Sequence, residues 1–484
     1  LISADKLAIF ASVMIKKEFV GRISELETLR TKDRLGRARL IAIYGRRRIG
    51  KTSLIEKAFE NETIWKFEGL EGASSKKQLH HFLFLLSKYS EDPSVSSISS
   101  GMGWEEALSL LAQKAKGRKL VIFFDEFQWM ASMRSGLVSI FKWAWDNHFS
   151  HLDNCNFVLC GSISSFIVKR VIRSKALYGR INLEMNLKPF SLAETHDFFG
   201  AKWKNEEIME LYMAIGGVPR YLQEIDPAKS VVQNLERLAF SQHGFFFNEY
   251  QRLFVSHFSK NHTYEKILKL LAANRILSIP ELAGKLKLKT GGTLTELVND
   301  LALAGFVEKF HPVDKGSNGR LTHLRIQDEF LHFYYCFVEP RLSSIEQGTV
   351  KTFEILTGSI YEQWRGYALE RLCLKHKVNI AKALGFHGIR YEAGAWYKST
   401  GDTGTQIDLL FKRADRIMTV CEIKNRQKLS LELITQFEKK TDFLSKYFYF
   451  PIQKVLITGT AVQVPEKIKQ YFDTILPASE CLFN

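Results

Sequence analysis

A chain of 484 residues exceeds what one hydrophobic core usually organises, so about two to four domains are expected. Its 68 Lys+Arg against 52 Asp+Glu leave a formal charge of +16, which favours a polyanionic partner such as nucleic acid, although solubility or a lysine-rich coding bias gives the same excess. With 45% hydrophobic residues, no run of about 18 apolar positions and no basic region leading into an apolar core and cleavage site, the membrane and secreted classes are disfavoured.

The six cysteines form no CxxC pair and no cluster with histidine at zinc-ligand spacing, so free thiols and a cytoplasmic setting are expected. Residues 1–18 read as an N-terminal extension, and the first thirteen are expected to carry no function. The first strong signal is the apolar run Leu40 to Tyr44, a predicted strand, followed by Gly45-Arg46-Arg47-Arg48-Ile49-Gly50-Lys51-Thr52. This matches GxxxxGK[ST], in which glycines let backbone N–H groups turn inward around a pyrophosphate, a lysine reaches the terminal phosphates and a hydroxyl ligates magnesium. Gly45, Gly50, Lys51 and Thr52 fill those roles. A helix predicted over Ser53 to Phe59 points its N-terminal partial positive charge, with Ser53 in its first turn, at the same phosphates. ATP and Mg2+ are therefore the expected cofactors.

A second strand is predicted over Glu62 to Gly69 and a third over Lys119 to Asp125, KLVIFFD, with Glu126 directly behind. A run this apolar suits a buried parallel strand, and ligands sit at the C-terminal ends of such strands. Asp125 would hold the magnesium and Glu126 would orient or deprotonate the attacking water; standing alone, the pair would read as a solvated turn. The run Phe157 to Cys160 ends in Gly161-Ser162-Ile163-Ser164-Ser165, where Ser162 is either a sensor of the terminal phosphate or a helix cap.

Phe19-Val20-Gly21-Arg22, GRRRIGKT, the strand ending in Asp125-Glu126, Leu177-Tyr178-Gly179-Arg180 ahead of Leu187-Lys188-Pro189-Phe190, and Gly216-Gly217-Val218-Pro219-Arg220-Tyr221 occur in an order that resembles the archaeal-type ATPases, in the signal-transduction branch of the AAA-like P-loop ATPases. The resemblance spans residues 19–225 and implies a parallel-sheet ATPase with a helical lid. It further implies Arg180 as an arginine finger or sensor and Pro219 beside the adenine ring. From the residues alone, Arg180 reads equally as an exposed basic residue before a turn and the Gly-Gly-Val-Pro string as a helix stop. The three loop arginines are assigned to phosphate, nucleic acid, a neighbouring domain or solvent.

Residues 226–258 read as a connector of amphipathic helices, with Phe245-Phe246-Phe247 as core packing. Over 259–345, helical runs at Tyr264 to Ala273, Ile279 to Leu286 and Gly292 to Ala304 precede strands from Gly305 and over Leu321 to Ile326, with a turn at Lys315 to Gly319. Three helices and a β-ribbon describe a winged helix, which either presents its third helix to a DNA groove, with Lys285, Lys287 and Lys289 as phosphate contacts, or serves as a connector to protein.

The last segment, 346–484, carries Gly404-Thr405-Gln406-Ile407-Asp408-Leu409-Leu410-Phe411 and then Val420-Cys421-Glu422-Ile423-Lys424, two predicted strands joined by the turn around Ala414-Asp415-Arg416. Alternation puts Glu422 and Lys424 on one face and Cys421 and Ile423 on the other. A hairpin setting Asp408 beside Glu422 supplies hard oxygen ligands for Mg2+ or Mn2+, with Lys424 to stabilise charge developing on a phosphoryl group. The competing reading is a salt-bridged hairpin.

The order GTQIDLL then CEIK resembles the PD-(D/E)xK restriction-endonuclease-like fold, an α/β/α domain found fused to archaeal-type ATPases, although no proline precedes Asp408. That resemblance implies Glu370 as a further metal ligand and Gln436, with Lys440 one turn later, on the following helix. The whole chain is thus expected to be a multidomain α/β protein: an ATPase coupled to a metal-dependent DNA nuclease-like domain, or a nucleotide-switched regulator that binds DNA or protein without cutting. A protein partner or a homo-oligomer is compatible with either.

Overall fold

The computed structural model describes residues 19–31, 36–97, 101–131, 135–162, 166–174, 176–258, 261–289, 291–313, 322–400 and 403–483. The N-terminal extension, Ile163 to Ser165, the Lys315 to Gly319 turn and Leu321 lie outside them. Two compact units divide the chain. The first comprises the described residues up to Ile43 with Gly50–Gly161 and Ile172–Met185, and the second comprises Tyr44–Ile49, Ser162–Val171 and the remainder from Asn186.

The first unit is built on strands β1 (Arg39–Tyr44), β2 (Thr63–Glu68), β3 (Leu120–Asp125), β4 (Cys155–Gly161) and β5 (Leu183–Asn186), ordered β2-β3-β4-β1-β5. Strands β2, β3 and β4 run parallel, with Glu68 opposite Asp125 and Phe124 opposite Leu159. Every residue of β3 is buried, as an uninterrupted apolar run in a parallel sheet requires. Helices Ser75–Ser90, Trp104–Ala115 and Leu137–Asn147 belong to this unit. Aromatic rings fill its interior, with Phe67 and Phe82 at 4.5 Å and Phe124 edge-on to Phe141 at 5.5 Å.

In the second unit, Gly217 allows two segments to touch: its carbonyl accepts from Phe190 N at 2.7 Å, and a Cβ there would lie 2.1 Å from the Phe190 oxygen. Helices Val231–Ala239 and Phe245–Phe258 follow, with Phe246 fully buried among Tyr221 and Phe330 as core packing. Helices His262–Ala273, Ile279–Leu286 and Gly292–Leu303 then combine with β6 (Leu277–Ser278), β7 (Val307–Phe310) and β8 (His323–Ile326) in the order β6-β8-β7. Ser278 caps the second of these helices by accepting from Glu281 N, while the Glu281 carboxylate accepts from Ser278 N.

A second five-stranded sheet joins β9 (Tyr391–Thr400), β10 (Thr403–Arg413), β11 (Met418–Lys424), β12 (Ile452–Thr458) and β13 (Thr474–Pro477), ordered β13-β12-β11-β10-β9. Strands β9, β10 and β11 are antiparallel, and β11 to β13 are parallel. One face packs Leu409, Phe411, Cys421 and Ile423 against Leu369, Leu372 and Cys373 of helix Ser359–Lys375. The other packs Ile407, Leu410 and Val420 against Leu433, Phe437 and Leu444 of helix Glu432–Ser445, completing an α/β/α sandwich.

The loop arginines enter the second unit's interior. The buried Arg46 guanidinium pairs with Asp328 and donates to Tyr221 Oη at 3.1 Å; Tyr221 in turn donates to Glu249 at 2.9 Å, and Arg48 pairs with Glu249. Of the assignments open to them from sequence, Arg46 and Arg48 take the neighbouring segments. Removing one partner of a buried ion pair strands the other, which costs about 3–5 kcal/mol, whereas an apolar pair of similar volume is close to neutral. Asp328→Ala should therefore lower the unfolding free energy by that much, read as a fall in the urea midpoint, and Arg46→Met with Asp328→Leu should recover most of the loss; an unchanged midpoint in Asp328→Ala would show that the pair carries no stability.

Candidate functional site

The phosphate loop is shaped by two glycines that no other residue could replace without strain. Gly45 has φ 151°, and a Cβ there would lie 2.4 Å from the Leu187 carbonyl oxygen. Gly50, at φ 85°, turns the chain directly into helix Lys51–Ala58, which begins two residues before the predicted Ser53. Lys51 is consequently buried in the first turn, with Ser53 exposed beside it.

Thr52 Oγ1 donates to Asp125 Oδ2 at 2.9 Å, so the hydroxyl and carboxylate expected to hold magnesium already touch. Asp125 is 5% exposed; it also accepts from Glu126 N at 3.0 Å and pairs with Lys66 Nζ at 3.2 Å. Lys66, one strand away on β2, was invisible to the motif. The Cys160 thiol at the end of β4 is pushed well up by burial and by the Asp125 charge it faces. Glu126 takes a left-handed φ of 49° and accepts from Gln128 Nε2. Gly69 makes room for that turn, since a Cβ on it would meet the Glu126 carbonyl at 2.5 Å.

Arg180 is engaged otherwise: Nε and Nη2 bond the two Asp146 oxygens at 2.6 and 2.9 Å, and Nη1 donates to the Ala176 carbonyl at 3.1 Å. The hydrogen bonds with Asp146 raise the Arg180 pKa and lower that of Asp146. Ser162 is buried, and Pro219 opens the short helix Pro219–Leu222; both belong to the second unit.

The C-terminal sheet assembles the other predicted residues. Leu409 pairs with Cys421 and Leu410 with Val420, and Arg416, at φ 64°, closes the hairpin turn. Between Ile407 and Leu410 the pairing of β10 with β9 slips by one residue. Ile407 and Leu410 therefore reach the same core despite odd spacing, and Asp408 is re-aimed at the bulge so that its Oδ2 accepts from Ile423 N at 3.3 Å. Glu422, 1% exposed, takes Lys424 Nζ on Oε1 at 2.6 Å and Lys440 Nζ on Oε2 at 2.7 Å.

Burial and the neighbouring Asp408 charge push the Glu370 carboxyl up to about 7, and burial with Glu422 raises Asp408. Three acids and two ammonium groups thus share one electrostatic neighbourhood. Lys440 lies on the Leu433, Phe437, Leu444 stripe of its helix, whereas Gln436 falls to the solvent side and donates to Glu432 at 2.9 Å. The predicted shared face of Gln436 and Lys440 therefore does not form around the acids.

Among the described residues, no three His, Cys, Asp or Glu side chains stand in a metal-holding group. By donor type, Asp408, Glu422 and Glu370 suit a hard divalent cation, but Glu422 would exchange a lysine contact for it. No described helix is long and apolar enough to cross a membrane.

Residues 19–225 match a family described as an ATPase domain predominantly from Archaea. These residues are an ATPase domain of the archaeal type. The chain is 28% identical over 399 residues to an uncharacterized protein of Methanocaldococcus jannaschii, spanning 81% of this chain and 84% of that one. An uncharacterized ATP-binding protein of the same organism is 54% identical over 46 residues, 10% of this chain and 78% of its own. Among solved structures, the Walker-type ATPase of Pyrococcus abyssi aligns with TM-score 0.49 and 19% identity over 66% of this chain and 97% of that one. The Aeropyrum pernix ORC2 protein aligns with TM-score 0.43 and 16% identity over 69% and 96%.

The raised Glu370 pKa fixes a sign. The folded state holds the proton from the ordinary carboxylate range up to about pH 7, so stability falls as pH rises through that window. Glu370→Gln should flatten this part of the melting-temperature profile; a wild-type profile that is flat there would mean the carboxyl ionises normally.

Proposed function

We propose that the chain is a Mg2+-dependent ATPase coupled to a metal-dependent nuclease-like centre acting on DNA. In the ATPase domain, Lys51 and the loop amides hold the phosphates, Thr52 and Asp125 hold the magnesium, and Glu126, fixed by its turn and by Gln128, orients the attacking water. Ser162 and Pro219 would complete phosphate and adenine contacts. Arg180 would act at the phosphates only after exchanging Asp146 for them.

The observation that carries the second half is the convergence of Glu370, Asp408 and Glu422 with Lys424 and Lys440 on an α/β/α sheet. A bound divalent ion would polarise the phosphoryl oxygen and lower the pKa of water. Asp408 and Glu422 would hold it, with Glu370 as the further acid, while Lys424 balances the charge growing on phosphorus. The three helices and ribbon of 262–326 are read as a winged helix contacting the DNA backbone through Lys285, Lys287 and Lys289. Because Arg46 and Arg48 of the phosphate loop bond Asp328 and Glu249, nucleotide in the loop has a route to bias these segments.

A second reading is favoured by the two lysines on Glu422: a nucleotide-switched regulator that binds DNA or a protein partner through a non-cleaving nuclease fold. Plasmid incubated with Mg2+ or Mn2+ and ATP separates the two. Under the first reading wild type nicks the DNA, Lys424→Ala loses on the order of 10²–10³-fold in rate, and Lys51→Ala loses the dependence on ATP. Equal nicking by wild type and Lys424→Ala would remove the assigned centre, and salt-dependent binding without product would establish the regulator.

A further inference from the structure

A cavity of about 360 Å³ opens beside Glu370 and Asp408, within the size range of small-ligand sites. Trp364 and Tyr367, one helical turn apart on Ser359–Lys375, contribute aromatic wall, and the Arg275 guanidinium lies 3.1 Å from the Tyr367 ring centroid. Deeper in, Arg371 Nη1 faces His332 Nε2 at 3.4 Å. Trp364 Nε1 donates to His332 Nδ1 at 2.7 Å, and burial holds the imidazole neutral, so its hydrogen sits on Nε2. Two donors therefore meet, and His332 offers Arg371 no acceptor.

The site thus combines flat aromatic and guanidinium surfaces with a cation that lacks an acceptor in the imidazole it faces. A second cavity, of about 620 Å³, shares Ile360, Gln363, Tyr367 and Glu370 with the first and continues past Lys424 to Arg426. Both cavities reach Glu370: the first adds Arg275, Arg325 and Arg371 to its aromatic wall, and the second sets Lys424 and Arg426 against Glu362 and Glu370. Bases stack on aromatic rings and on guanidinium planes, and their carbonyl edges accept from arginine.

We propose that the smaller cavity receives one unpaired nucleotide of a nucleic-acid strand, its base stacked against the Arg275–Tyr367 pair and hydrogen-bonded by Arg371, with the adjoining phosphate toward Lys424 and the strand running on over Arg426. This deepens the nuclease-like reading and rests on it: the preferred substrate is a strand with a free or extruded nucleotide, not an unbroken duplex. Ile360, 68% exposed at the mouth, supplies an apolar lip for the entering base.

The test uses the full chain in EDTA, so that binding is read without cutting, and oligonucleotides bearing a single 2-aminopurine, either single-stranded or as a blunt duplex. The single strand should bind about tenfold or more tightly than the duplex, with its fluorescence quenched by stacking. Ala272→Trp, which fills the cavity, and Arg275→Ala, on an exposed residue whose loss leaves the core intact, should each remove the quenching and most of the preference. Equal affinity for both forms, or quenching untouched in both variants, overturns the proposal even if plasmid is cut. Quenching that disappears in both variants, in a protein that never cuts, retains the nucleotide pocket and overturns only the nuclease.

Discussion

A guanidinium taken out of water must be matched, and Arg46 is matched by Asp328 and Tyr221. With the Arg48–Glu249 pair and the Leu187 N bond to the Tyr44 carbonyl, this match ties Tyr44–Ile49 to the second compact unit, while Gly50 and the following helix belong to the first. A run of three arginines in a phosphate loop invites assignment to phosphate. Here Arg46 and Arg48 are held by carboxylates supplied by distant segments, which takes those two out of the set that could meet an anion. The aromatic surroundings of Arg46, with Tyr221 and Phe306 about 5.5 Å from its guanidinium carbon, exclude water and strengthen the pairing.

The acidic centre obeys the same logic with the signs reversed. Glu422 is almost wholly buried and is compensated twice, by one lysine two residues along its strand and another from a helix across the sheet face. Asp408 and Glu370 have no comparable cation bonded to them among the described contacts, and both are pushed toward their neutral forms. Unequal compensation within one cluster separates the acids chemically, so that a proton, a metal ion or a substrate phosphate would be felt first by the Glu370 and Asp408 pair.

Much of this was legible from the chain. The phosphate loop, the buried strand ending at Asp125 and the hairpin carrying Asp408 and Glu422 all announce themselves by local periodicity and spacing, which is information that neighbouring residues hold in common. Glu370 came from a resemblance, and its place beside Asp408 depends on a helix packing on the sheet. What stayed hidden is non-local or depends on a single irregularity. Arg46 and Asp328 are 282 positions apart, and nothing in either neighbourhood names the other. Lys66 reaches Asp125 only because β2 and β3 are parallel neighbours. The resemblance also implies Gln436 on the following helix, but the buried stripe of that helix runs through Leu433 and Phe437, which turns the glutamine to solvent while the longer lysine reaches in.

The bulge in β10 has a wider implication. Strand geometry allots alternate residues to opposite faces, so one extra residue between Ile407 and Leu410 is what lets both apolar side chains keep their core while Asp408 points elsewhere. The centre is therefore specified by a parity as well as by an alphabet. A relative could preserve the aspartate, the glutamate and the lysine letter for letter and still lose their meeting point by straightening that strand, so retention of the three letters is a poor guide to retained chemistry unless the extra residue travels with them.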